Sequence, residues 1–298
     1  MHHSFTFARI SGIPLKLHFN WFIVAALVTW SLSVGYFPQQ YPGWDKAIYW
    51  AVGMITSLLF FASVLAHELG HALVAIGEGV PVKSITLFIF GGVAHIGNEP
   101  PTADSDFRIV VSGPFSSLVL AAIFYTVGHA AALNPQVSAA SNYLSYMNLV
   151  LALFNLIPGF PLDGGRILRA ILWKAKNSFQ WATRWATNVG LMIAFLFVLL
   201  GIAFMFWDSI ISGIWMAFIG VYLASAARQS YRQSVSNEGF GEELAPTAEL
   251  ERNFLPVTPV MRKPSQAYGA SFIWVGMNDN EEKRHTGREG QGFGKEKE

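Results

Sequence analysis

The chain has 298 residues, of which 52% are hydrophobic and 13% are charged. Soluble domains carry roughly 25% charged residues, so an ordinary soluble enzyme is excluded and a membrane protein is indicated. The net charge of +1 gives no basic field for nucleic acid, and the absence of cysteine excludes disulfides and thiolate metal ligands.

A spanning helix needs about 20 mostly apolar residues. Six stretches qualify. The first is Phe19–Phe37. The sequence after it, LSVGYFPQQYPGW, lacks a small-residue cleavage site, so it reads as a retained helix rather than a signal peptide. The second, Ala47–Gly77, holds VLAHELGHALVA. Residues 82–97, VKSITLFIFGGVAHIG, carry β-branched and aromatic residues on both sides of Gly91–Gly92 and read as a β-hairpin. The third span is Ile109–Leu133, opened by SGPFSS. The fourth, Tyr143–Ile157, is short and runs into the helix-breaking cluster NLIPGFPLDGGRIL, so a buried or re-entrant helix is its alternative reading. The fifth is Ala186–Trp207 and the sixth Ser209–Ala227, with Asp208 at the turn.

Basic residues give an orientation. Arg166, Arg169, Lys174, Lys176 and Arg184 crowd residues 159–185, whereas residues 134–142 carry none. Arg9 and Lys16 precede the first span, and Arg228 and Arg232 follow the last. The positive-inside rule then puts both termini in the cytoplasm, in a cell-membrane protein. The second and fourth spans both run inward, so the histidine motif and Asp163 come to the same side. Residues 1–230 form the membrane core. Residues 231–298 read as a polar cytoplasmic tail, with SFIWV as one strand and the last eighteen residues disordered.

His67, Glu68 and His71 form H-E-x-x-H inside the second span. On a helix, residues four apart share a face, so both imidazoles reach one metal ion with a carboxylate beside them. A charge near mid-membrane costs roughly 2.5–3.5 kcal/mol, which an incidental Glu68 would leave unexplained. Catalytic zinc takes three protein ligands and keeps a fourth position for water. The third must come from elsewhere. Asp163, followed by two glycines that permit close backbone approach, is one candidate, and His95 and His129 are others. An Asp-Gly turn is the plain alternative for Asp163. Asn155 is either a helix-bridging amide or a donor to a substrate carbonyl.

HELGH at 67–71 and NLIPGFPLDGG at 155–165 together resemble the site-2 protease family of intramembrane zinc metalloproteases. GIPLKLH at 12–18, TLFIFGGVA at 86–94 and SGP at 112–114 extend the resemblance to about residues 5–230. It implies an all-α polytopic membrane fold of about six transmembrane helices with a small membrane-associated β-hairpin or sheet. It also implies one Zn2+ held by His67, His71 and Asp163, with Glu68 as general base and acid and Asn155 as a substrate or oxyanion contact. The implied substrates are single-span membrane proteins, such as anti-sigma factors or membrane-bound transcription-factor precursors. The edge of the 82–97 hairpin is the implied seat for an extended substrate. The PDZ domain that some relatives carry between the third and fourth spans has no room in the short connection. A pair of CBS domains would exceed the tail, although TPVMRKP resembles the start of one. The rival readings are a metal transporter, which needs ligands along a whole transmembrane path, and a non-proteolytic zinc-binding membrane protein.

Overall fold

The structure is a computed structural model that describes residues 4–88, 91–97, 99–207, 209–229 and 231. The expectations for Asp208 and for the tail beyond Tyr231 lie outside the described residues. Six helical segments are long and apolar enough to cross a membrane: Asn20–Gln40, Lys46–Gly77, Ala103–Ala130, Pro135–Asn155, Phe179–Trp207 and Ile210–Gln229. The first is α1 (Asn20–Trp30), a π-helical turn (Ser31–Tyr36) and α2 (Phe37–Gln40) in continuous succession. The others are α3, α4, α5, α7 and α8. Between α5 and α7 lies α6 (Asp163–Lys176), a shorter amphipathic helix that the span search in the sequence passes over.

The third, fourth and fifth spans start earlier than expected, the fifth at Phe179 rather than Ala186, and the first two of these starts carry a cap. The third span starts at Ala103 rather than Ile109, because Thr102 caps it, its hydroxyl accepting from the Ser105 N–H, and Asp104 and Asp106 favour the positive end of the helix dipole. The fourth span starts at Pro135, where Asn134 accepts from the Val137 N–H. It is therefore a full-length helix of 21 residues rather than a short re-entrant one. Polar helix starts of this kind are invisible to a search for apolar runs.

The expected hairpin exists as β3 (Val82–Phe88) and β4 (Gly91–Ile96), with Gly91 and Gly92 inside β4. It is half of a larger sheet. Residues near the amino terminus form a second hairpin, β1 (Ser4–Ile10) and β2 (Ile13–His18). Its connection carries positive φ at both Ser11 and Gly12, the handedness that a two-residue hairpin turn requires. Along β2 the side chains of Ile13, Leu15 and Leu17 are buried, in strict alternation. The order is β1-β2-β3-β4, with β2 and β3 parallel, Leu15 opposite Ile85 and Leu17 opposite Leu87. One sheet face joins Ala72 and Ala75 of α3 and Ile109 of α4 in a core cluster.

Helix α4 touches α3, α5 and α6 and is the middle of the bundle. Its attachment to α6 is ionic. Asp106, fully buried, accepts from Arg169 at 2.6 and 3.1 Å and from Arg166 at 3.2 Å. The Arg169 guanidinium also lies over the rings of Phe160 and Phe179. An exposed pair, Lys174 to Asp104 at 2.7 Å, runs alongside. Removing one partner of a buried ion pair typically costs about 3–5 kcal/mol, because the other charge stays buried and unpaired. Asp106→Ala is expected to lower the melting temperature in detergent and to loosen α6, read as increased hydrogen exchange over residues 163–176. Unchanged exchange there would show that apolar packing alone holds α6.

Candidate metal centre

His67 and His71 project from one face of α3, their rings 4.9 Å apart and nearly perpendicular. Asp163 is the first residue of α6, and it reaches the same point. Its Oδ2 lies 3.1 Å from His67 Nε2 and 3.3 Å from His71 Nε2, and the two Nε2 atoms are 3.3 Å apart. Among the described residues this is the group of three potential ligands able to hold one ion. A tetrahedral ion with bonds of about 2.0–2.1 Å keeps its ligand atoms about 3.3 Å apart, so the triad fits zinc. Asp163 reaches this point from the start of α6 and not from the end of the fourth span, which stops at Asn155.

Each imidazole is oriented from behind. His71 Nδ1 lies 2.8 Å from the Ile109 carbonyl, which can only accept, so the proton sits on Nδ1 and Nε2 offers its lone pair. His67 Nδ1 lies 2.9 Å from Ser117 Oγ. Both supports come from α4, and such partners set the tautomer and ring angle of metal-bound histidines. The sequence reading missed Ser117 and the Ile109 carbonyl. The SGP motif at 112–114 sits between them and was the available signal.

Gly113, in that motif, has no room for a side chain. A Cβ there would overlap His71 Nε2 and lie 2.8 Å from His67 Nε2. Asp163 is aimed by a similar close approach. A Cβ on Gly164 would run into the carbonyls of Leu156 and Ile157, and one on Gly165 into the Gly159–Phe160 backbone. The two glycines after Asp163 thus let the first turn of α6 lie against the turn that follows α5.

Glu68 is half-buried beside the triad. Its Cγ fills the place a Cβ on Gly92 of β4 would occupy, so the side chain lies directly against that strand. Asn155 is the last residue of α5, and its amide donates to the Leu151 carbonyl one turn back, at 3.0 Å. His95 lies in β4 and His129 near the exposed end of α4, where it bonds the Tyr125 carbonyl. Neither belongs to the group of three.

Gly113→Ala is expected to abolish stoichiometric zinc binding, measured by elemental analysis after dialysis, while the helical circular dichroism persists. Full zinc retention would mean that the two rings do not stand against α4 as described.

Comparison with known proteins follows the same lines. The profile of Peptidase family M50 matches residues 55–139 and 127–199. Rip3 of Mycobacterium tuberculosis, named a zinc metalloprotease, is 38% identical over 232 residues, 77% of this chain and 59% of that one. Zinc metalloprotease MJ0392 of Methanocaldococcus jannaschii is 38% identical over 202 residues, 68% of this chain and 55% of that one. The chain thus spans between half and two thirds of the length of these two relatives. The solved structure of the site-2 protease from Methanocaldococcus jannaschii is 32% identical with a TM-score of 0.51, covering 76% of this chain and 94% of that chain. With six apolar helices and a triad that fits zinc, the chain is a multi-pass membrane protein that belongs to the site-2 protease family, Peptidase family M50.

Proposed function

We propose that this chain is an intramembrane zinc metalloendopeptidase, which hydrolyses peptide bonds within or near the transmembrane segment of membrane-anchored regulatory proteins. The observation that carries the reading is the place of Glu68. It stands beside three converging ligand atoms and against a strand at the sheet edge. A site built only to hold a metal has no use for a fourth ionisable group so placed.

His67, His71 and Asp163 would hold the ion. Zinc bound there supplies a Lewis acid and a water whose pKa falls toward 7. The Glu68 carboxylate accepts a proton from the attacking water and hands it to the leaving amine nitrogen. The second amide hydrogen of Asn155 is a donor for the polarised substrate carbonyl. A transmembrane substrate hides its own peptide groups in helical hydrogen bonds, so it must unwind before it can be cut. The outer edge of β4, which pairs only with β3 among the described strands, can accept the unwound segment by strand addition. This satisfies backbone groups that lipid cannot.

The basic residues of α6 and of the helix ends support a cytoplasmic site, with both termini on that side. Anti-sigma factors and membrane-bound transcription-factor precursors are the class of substrate this orientation suits, since the cut would release a cytoplasmic domain.

The test is cleavage of single-span substrates in liposomes by wild type, Glu68→Gln and Asp163→Ala, with and without a zinc chelator. Wild type is expected to cleave and to stop with chelator. Glu68→Gln is expected to keep its zinc and lose about 10²–10⁴-fold in rate. Asp163→Ala is expected to lose zinc and cleavage together. A Glu68→Gln protein that cleaves at the wild-type rate overturns the base assignment. Wild-type protein with zinc bound and no cleavage favours the non-proteolytic reading.

A further inference from the structure

Helices α7 and α8 pair through small residues. Gly201 approaches the backbone of Ala217, and Gly220 approaches Ala194. At the base of this hairpin, where α7 starts and α8 ends, a cavity of about 380 Å³ opens. Its lining is Arg184, Thr187, Asn188 and Leu191 of α7 with Arg228 and Tyr231 from the end of α8. The volume lies in the range of ligand sites, roughly 300–1,000 Å³.

The charges there are one-sided. Neither Arg184 nor Arg228 forms an ion pair among the described residues. Among the described residues, Arg184 Nε donates to the Tyr231 hydroxyl, at 3.4 Å. Two guanidinium groups from two helices therefore line one concavity, and no carboxylate is among its described lining residues. Guanidinium forks match phosphate oxygens, and Asn188 and Tyr231 add neutral donors.

The depth of the cavity is marked by tryptophan. Trp181 and Trp185 stand 5.8 Å apart in the first turns of α7, and Trp185 is half exposed. Indole rings collect at headgroup level. Above them the α7–α8 surface is apolar and outward-facing, with Met192, Phe195 and Val221 exposed. A polar, cationic cup at headgroup depth thus leads onto a greasy wall.

We propose that this cavity binds the phosphate headgroup of an anionic phospholipid, with Arg184 and Arg228 on the phosphate and the acyl chains along α7 and α8. The same base of the hairpin packs Ala186, Leu191 and Ala227 on Phe160, in the turn that leads to Asp163. A bound headgroup would tie α7 to α8 where they support that turn. The assignment is independent of whether the protein cleaves peptides, because its readout is binding.

Full-length protein in a non-ionic detergent is titrated separately with phosphatidylglycerol, phosphatidylcholine and inorganic phosphate. Melting temperature and lipid retained in native mass spectra are recorded. Phosphatidylglycerol is expected to raise the melting temperature and remain bound, and the other two are not. The double variant Arg184→Gln/Arg228→Gln, with both changes on exposed side chains, is expected to keep its basal melting temperature and zinc. Its half-saturating phosphatidylglycerol concentration should rise about tenfold or more. An equal response to inorganic phosphate reassigns the cavity to a soluble anion and overturns the lipid. An equal response of wild type and double variant, or none in wild type, overturns the site.

Discussion

Everything at the centre of this molecule depends on one buried carboxylate that is not a metal ligand. Asp106 sits fully buried with two arginines of α6 around it, and its own helix, α4, carries the supports for both histidines. The three candidate ligands come from two helices far apart in sequence. What brings them into one frame is a third helix that touches both. Along α4 the tasks fall in order: Asp106 fixes α6, the Ile109 carbonyl fixes His71, Gly113 leaves space for both rings, and Ser117 fixes His67. Buried ion pairs add little net stability, since desolvation offsets much of their attraction. Their value here is geometric. Apolar surfaces slide over one another at little cost, whereas a fork of hydrogen bonds on one carboxylate has a single register.

This explains which parts of the architecture were legible in the sequence. Apolar length and the i, i+4 repeat of His67 and His71 are local signals, and both led to the observed helices and the shared face. The paired HELGH and LDGG motifs identified the family because their chemistry is unusual for an apolar setting. The sheet was half legible. β3 and β4 announced themselves by β-branched residues, but β1 and β2 were left unread although Ile13, Leu15 and Leu17 alternate cleanly. Short strands before a strong apolar run are easily absorbed into the approach to the first span. The parallel pairing of β2 with β3 could not be read at all, since it depends on α1 through α3 returning the chain to the same place.

The supports behind the metal site were illegible for a different reason. Ser117 and Ser116 are neighbours in the same motif, and only the helix phase relative to α3 decides which one meets His67. Ser116 instead bonds the Ser112 carbonyl of its own helix. Asp106 and Asp104 look alike in the sequence, yet one is fully buried against two arginines and the other is exposed with a lysine. The burial of α6 against α4 makes that distinction, and no periodicity in residues 103–107 encodes it.

The contact of Glu68 with Gly92 sets the candidate base against the sheet as well as on its helix. A peptide laid along the outer edge of β4 advances by a fixed rise of about 3.4 Å per residue. Gly92 would then act as the zero mark of a ruler. The bond presented for attack would be chosen by counting main-chain steps from that mark. Side chains of the peptide would enter the choice only through whether they let it unwind and lie flat. Under the proposed function, such a site would accept many unrelated transmembrane sequences and cut each at a reproducible place.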